Sequence, residues 1–166
     1  ASLGLYVGDK VDVLFNIDVN DWGGRKSVQL IIRDIKKSMS QKSVEKLEKE
    51  RFHEVWNGAK FSADEHILPT RADFACVYRL ITGFLRSGDD VMTLKDISYK
   101  LSLSKESSSI GYVKLKIIVK VMQELNIIGI EEIDEEKYRF RIYYKSGKTE
   151  LDKSNLLRRL RLQQNG

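Results

Sequence analysis

The stretch Val11–Ile35, VDVLFNIDVNDWGGRKSVQLIIRDI, decides how this chain is read. Val11, Val13, Phe15, Ile17 and Val19 alternate with Asp12, Leu14, Asn16, Asp18 and Asn20, the period-two pattern of a half-buried strand. After Asn20-Asp21-Trp22-Gly23-Gly24 the chain returns with Val28, Leu30 and Ile32 on one face and Ser27, Gln29 and Arg33 on the other. A lone two-stranded hairpin is marginal in water, so this pair needs further sheet partners. The sequence opens on Ala1 in mid-pattern, and the expectation is the tail end of a domain from a longer protein.

A length of 166 residues fits one or two small domains, and 42% hydrophobic with 32% charged residues is ordinary for a soluble globular protein. Neither a signal peptide nor an apolar run near the roughly 18 residues of a membrane span occurs, so a cytoplasmic protein with no membrane partner is expected. Cys76 is the single cysteine, which excludes a disulfide framework and a cysteine-based metal site; it reads as a core residue. The net charge of +5 is unevenly placed. Residues 1–68 carry eleven basic and eleven acidic side chains, whereas residues 137–161 carry nine basic against two acidic. Such a basic region points to an anionic partner, nucleic acid foremost, with a plain solvated surface as the alternative.

Three segments separate. The hairpin fills residues 1–38. Residues 39–67 read as an amphipathic helix over Ser40–Trp56, stopped by Asn57-Gly58, and a linker that runs on to the only proline, Pro69. In residues 68–166, Thr70-Arg71-Ala72-Asp73 and Thr93-Leu94-Lys95-Asp96 are capping-box starts of two helices. A polar run, Ser102–Ser109, separates the second from a third helix over 109–126. Two strands follow, Ile127–Ile133 and Tyr138–Lys145, joined by the acidic turn Asp134-Glu135-Glu136-Lys137, and a last helix covers Leu151–Gln164. Three helices and then a β-hairpin is the order of a winged helix.

No credible active site emerges. His53 and His66 lack the spacing of metal ligands, Asp89-Asp90 reads as a turn, and no phosphate-binding glycine motif occurs. Binding signals are stronger. In the second wing strand Tyr138, Phe140, Ile142 and Tyr144 read as core, while Lys137, Arg139, Arg141, Tyr143 and Lys145 form a basic stripe with an aromatic ring. On the third helix Tyr112, Lys116, Lys120 and Gln123 lie opposite the apolar stripe, on the side a recognition helix shows to DNA; Lys114 falls nearer the buried edge. Arg25, Lys26 and Arg33 with Trp22 line a strand-binding groove on the hairpin, or Trp22 is a packing plug. Winged helices also turn these faces to proteins, so DNA, a protein or bulk water all remain open as partners of the stripes.

Asn20, Trp22, Gly24, Gln29, Leu30, Asp34 and Ile35 match a pattern at the end of the OB-type domain of RecJ, and here the chain resembles that family of bacterial single-stranded-DNA-specific exonucleases. Leu68-Pro69-Thr70-Arg71-Ala72-Asp73-Phe74 through Val77-Tyr78-Arg79, with Glu124-Leu125-Asn126-Ile127-Ile128 and Lys148–Ser154, resembles the additional C-terminal domain of its Gram-positive members. The resemblance implies an α+β chain in which residues 1–38 are the C-terminal hairpin of an OB-type domain and residues 68–166 a winged-helix-like domain with a terminal helix. It further implies a parent enzyme that degrades single-stranded DNA from the 5′ end in recombination and repair, with Mn²⁺ or Mg²⁺ held by DHH-family motifs. None of those motifs lies in this chain, so no catalytic or metal-binding residue carries over and no cofactor is expected in it. The implied role is accessory: holding single-stranded DNA, and recruiting partners such as single-stranded-DNA-binding protein or a RecQ-type helicase.

Overall fold

The structure, a computed structural model, describes residues 5, 9–103, 110–134, 137–144 and 149–164, the side chains of 22, 25, 41 and 42 excepted. The chain is mixed α+β, with two small antiparallel sheets and five helices among the described residues. It divides into two compact units, Ala1–Leu47 and Glu48–Gly166.

The first unit is built on strands β1 (Val11–Trp22) and β2 (Arg25–Lys37) and the opening turns of helix α1 (Met39–Trp56). Trp22 stands opposite Arg25, leaving Gly23 and Gly24 as a two-residue turn, both at positive φ (59° and 77°). That is the backbone a tight hairpin following the sheet twist requires, and glycine adopts it without a Cβ clash. Phe15 pairs with Ile32 but Leu14 with Asp34, so Arg33 is an extra residue in β2. This bulge shifts the alternation by one and returns Ile35 to the face of Val28, Leu30 and Ile32, where strict period two would have turned it away. Across the pair, Phe15–Ile32, Ile17–Leu30 and Val19–Val28 make one apolar face, and all six side chains are exposed. Among the described residues no third strand joins this sheet. At its open end the Lys37 ammonium contacts Asp9 (3.2 Å) and Glu45, and the Ser38 amide donates to the Lys10 carbonyl (2.9 Å).

The second unit contains the rest of α1, then α2 (Arg71–Arg86), β3 (Val91–Thr93), α3 (Leu94–Ser102), α4 (Tyr112–Glu124), β4 (Ile128–Asp134), β5 (Lys137–Ile142) and α5 (Asn155–Gln164). Both expected capping boxes form. The Asp73 amide donates to the Thr70 hydroxyl while the Asp73 carboxylate accepts from the Thr70 amide (2.8 Å), and Thr93 with Asp96 repeats the arrangement. Helix α4 is the hub: Leu115, Ile117, Ile118, Val119, Val121 and Met122 are all buried. Val77 and Ile81 of α2, Ile97 of α3, Phe140 of β5 and Leu157 and Leu160 of α5 join it in one core. The sheet is antiparallel in the order β3-β5-β4.

Several boundaries differ from expectation. Residues 48–67 belong to the second unit, where Phe52, Val55, Phe61 and Ile67 enter its core. Strand β3 was not foreseen, because three residues carry no alternation to read. The assignment of Tyr144 to the core is corrected: β5 ends at Ile142, opposite the first residue of β4, and Tyr144 is 88% exposed. Beyond the last ladder pair, alternation in sequence no longer fixes a face. The expected last helix is split by a 3₁₀ turn at Leu151–Lys153, so that α5 starts at Asn155. Most of the polar run before α4, and Glu135 and Glu136 of the acidic turn, lie outside the described residues. Among the described residues no helix is long and apolar enough to cross a membrane.

A charged clasp fastens the connection after α1. The Arg51 guanidinium donates to Glu65 (2.6 and 2.9 Å), Glu54 (2.9 Å) and the Lys60 carbonyl (3.3 Å). The Ser62 amide, opposed by partial desolvation and aided by Arg51, holds the Glu65 carboxyl below its ordinary value. A carboxyl whose folded pKa lies below its unfolded one adds stability that is complete above the unfolded value and fades as pH falls through the folded one. Glu65→Gln should therefore flatten the loss of stability below about pH 4.3, the unperturbed glutamate value. Urea midpoints of both proteins between neutral and acid pH check this, and parallel acid limbs would contradict it.

Candidate nucleic-acid interface

Of the hairpin candidates, Lys26 is exposed opposite Asp21, and Arg33 sits at the bulge. With the Asn16 amide turned so that its oxygen faces Arg33, the guanidinium donates two hydrogen bonds of 3.2 Å to it. The side chains of Trp22 and Arg25 lie outside the described residues. These hairpin residues belong to the first unit, and the remaining candidates to the second.

On the wing, Arg139 is 38% exposed and lies between two carboxylates, Asp90 (3.3 Å) and Glu131 (3.3 Å); Arg141 shares Glu131 at 3.7 Å. Cross-strand register explains the pairing, since Glu131 of β4 stands opposite Arg139 of β5. The stripe is basic in sequence but largely compensated in space. Tyr143 folds its ring over Gly129, where an added Cβ would meet the phenol oxygen at 2.6 Å, so one part of that ring is already in use. Lys145 lies outside the described residues.

On α4 the polar side divides along its length. Tyr112 and Lys116 are half-buried: the Lys116 ammonium donates to the Tyr112 hydroxyl (3.1 Å) and lies 4.7 Å from the centre of the Phe52 ring of α1. Lys114, expected near the buried edge, is buried, and its ammonium lies 3.6 Å from Asp73, an ion pair that anchors α4 to the α2 cap. Lys120 and Gln123 are exposed. Only the C-terminal half of this face is thus open.

That open half forms one wall of a groove of about 410 Å³ whose other walls are the end of α1 and the start of α5. Trp56, Lys120, Gln123, Glu124, Asn155, Leu156 and Arg159 line it. Trp56 is 37% exposed, stacks on Phe52 (centroids 5.6 Å, planes 30° apart) and has the Arg159 guanidinium 5.2 Å from its ring centre. Stacking and cation–π attraction hold the two groups together without consuming the arginine's charge. Among the described residues neither Lys120 nor Arg159 has a carboxylate partner, in contrast to Arg161 with Asp152 (2.8 Å) and Lys153 with Glu150 (3.1 Å).

Glu124 is the one acid of this lining, and its carboxylate is already engaged. It accepts hydrogen bonds from the Ser154 hydroxyl (2.5 Å), the Asn155 amide (2.8 Å) and the Leu156 amide (3.4 Å), all at the start of α5. The Ser154 oxygen in turn accepts from the Leu157 amide (3.1 Å). A negative charge there also meets the positive end of the helix dipole. At the far end of α5, the buried Gln163 amide donates to the carbonyls of Val55 (2.9 Å) and Ala59 (3.1 Å), closing the end of α1. Sequence reading missed Trp56 and Arg159 as site residues; in sequence Trp56 is only the last residue of an amphipathic helix, and nothing local pairs it with an arginine near the C-terminus.

A second cleft, of about 340 Å³ with mainly apolar walls, is bordered by Arg71, Phe74, Tyr78, Met122, Ile127 and Tyr143. Among the described residues no three His, Cys, Asp or Glu side chains gather as a group that could hold a metal ion. Comparison with known protein families, curated proteins and solved structures gave no match to this chain.

Replacing Glu124 by Ala leaves the first amides of α5 and the Ser154 hydroxyl without their acceptor. We expect a loss of about 1–3 kcal/mol, seen as a lower urea midpoint at unchanged slope. An unaltered midpoint would show that α5 is held by its apolar face alone.

Proposed function

We propose that this chain is a non-catalytic C-terminal region of a RecJ-like, 5′-to-3′ single-stranded-DNA exonuclease, and that it helps to hold the single strand. The reading begins with the resemblance of the hairpin and of the capping segment around Thr70. It is supported by the second unit's order of helix, strand, helix, helix and two strands with the sheet order β3-β5-β4, the arrangement of a winged helix. A long bulged hairpin with an exposed apolar face also suits strands of an OB-type barrel, which adds support to the reading. Chemistry, with its Mn²⁺ or Mg²⁺, belongs to the other part of the resembled enzyme, and this protein works in the cytoplasm on DNA in recombination and repair.

The observation that carries the DNA-holding role is the pair of uncompensated cations, Lys120 and Arg159, beside an exposed tryptophan. Ion-paired Arg139 and Arg141 offer less net charge to a phosphate, so they rank second. Fluorescence anisotropy of a labelled single strand across salt concentrations tests this. Lys120→Ala with Arg159→Ala should weaken binding and make the log K against log salt slope shallower by about 1.4, two contacts at roughly 0.7 each. Arg139→Ala with Arg141→Ala should change it less. Affinity that stays flat from low to high salt would overturn the assignment.

The apolar cleft favours a second reading, a protein-docking module for single-stranded-DNA-binding protein or a helicase. Its aromatic and aliphatic walls with Arg71 at the border suit an apolar segment that carries a carboxylate. Calorimetry with an acidic tail peptide should then give heat that Arg71→Ala removes; absence of heat counts against this reading.

A further inference from the structure

We infer that the α1–α4–α5 groove is a nucleotide subsite for single-stranded DNA, in which an unpaired base packs against Trp56 and the adjoining phosphates rest on Lys120 and Arg159. The inference rests on the proposed DNA-holding role and deepens it by naming the site and the part of the ligand it takes. Three observations converge there. The part-exposed indole is held by Phe52 and has the Arg159 guanidinium over its ring, so a base packs against it as that guanidinium moves from the ring to the adjoining phosphate. Its two neighbouring cations lack carboxylate partners among the described residues, and the one acid of the lining spends its charge on the start of α5. The remaining polar groups, Gln123 and Asn155, are exposed, and an amide can both donate to and accept from a base edge.

Duplex DNA does not satisfy this site. Its bases are stacked and paired, so only the phosphates reach the groove and the indole is left without a partner. Unpaired strands expose a π-face at every nucleotide, and stacking on an aromatic side chain is tolerant of sequence. A preference for single over double strands, with little preference among bases, is what the groove provides. The stacking is also what separates this site from a surface that attracts polyanions by charge alone.

The test uses the full chain with Trp22→Phe, which leaves Trp56 as the only tryptophan. Titration with an oligodeoxythymidylate of about 12 nucleotides, a length within the span of single-strand sites, should quench Trp56 emission. The midpoint should match the one seen by anisotropy of the same strand. Inorganic polyphosphate at equal charge should bind without that quench, and Trp56→Ala should weaken the strand about 5- to 150-fold while Trp56→Phe retains most of the affinity. If the strand binds with Trp56 emission unchanged, or polyphosphate quenches as well as DNA, the subsite is overturned and the general DNA-holding role survives. If neither unmodified nor Trp22→Phe protein binds the strand, both fall. Binding by the unmodified protein alone would move the site to the hairpin.

Discussion

The carboxylate of Glu124 determines how the second unit closes. It belongs to the last residue of the central helix α4 and accepts from the first free amides of α5, so one side chain ties the end of one helix to the start of the next. From that clasp α5 runs to Gln163, whose amide donates to the Val55 carbonyl in the last turn of α1 and to the Ala59 carbonyl just beyond it. Two polar fastenings at opposite ends, with Leu157 and Leu160 between them, set the position of α5. The groove between α1, α4 and α5 is the space this arrangement leaves. Its electrostatic character has the same origin, because the lining acid is used in capping while the lining cations are not.

Charge in sequence and charge in space therefore tell different stories. The C-terminal region looks uniformly basic along the chain, yet Arg139, Arg141, Lys153 and Arg161 each have a carboxylate within 4 Å. Part of the nominal excess is spent on holding the wing and the turn before α5. Lys114 goes further and is buried against Asp73, a structural ion pair joining α4 to the capping box of α2. Among the described residues, Lys120 and Arg159 are cations left open to solvent in the groove that Trp56 lines.

Features set by neighbours in sequence were legible: the alternation of β1 and β2, the two-glycine turn, and the Thr–Asp boxes that open α2 and α3. The bulge at Arg33 was not, since it is a property of the pairing and shows only as Ile32 and Ile35 sharing a face. Tyr144 was misplaced because period two continued in the letters after the ladder had stopped. Ser154 was readable as a helix cap only once Glu124 was known to lie against it. Of the candidate site, Lys120 and Gln123 lie on the open face as expected, whereas Tyr112 and Lys116 of that same face are half-buried, Lys116 bonded to Tyr112 and lying over Phe52. Trp56 and Arg159 come from opposite ends of the second unit, and no local pattern could bring them together.

The central claim is that the second unit holds single-stranded DNA in the groove made by α5. Amide hydrogen exchange of the protein with and without a single strand reads this most directly. Added protection at the end of α1 around Trp56, at Lys120–Glu124 and at Asn155–Arg159 is the predicted result. Protection confined to the wing strands β4 and β5, or to the hairpin, would contradict it.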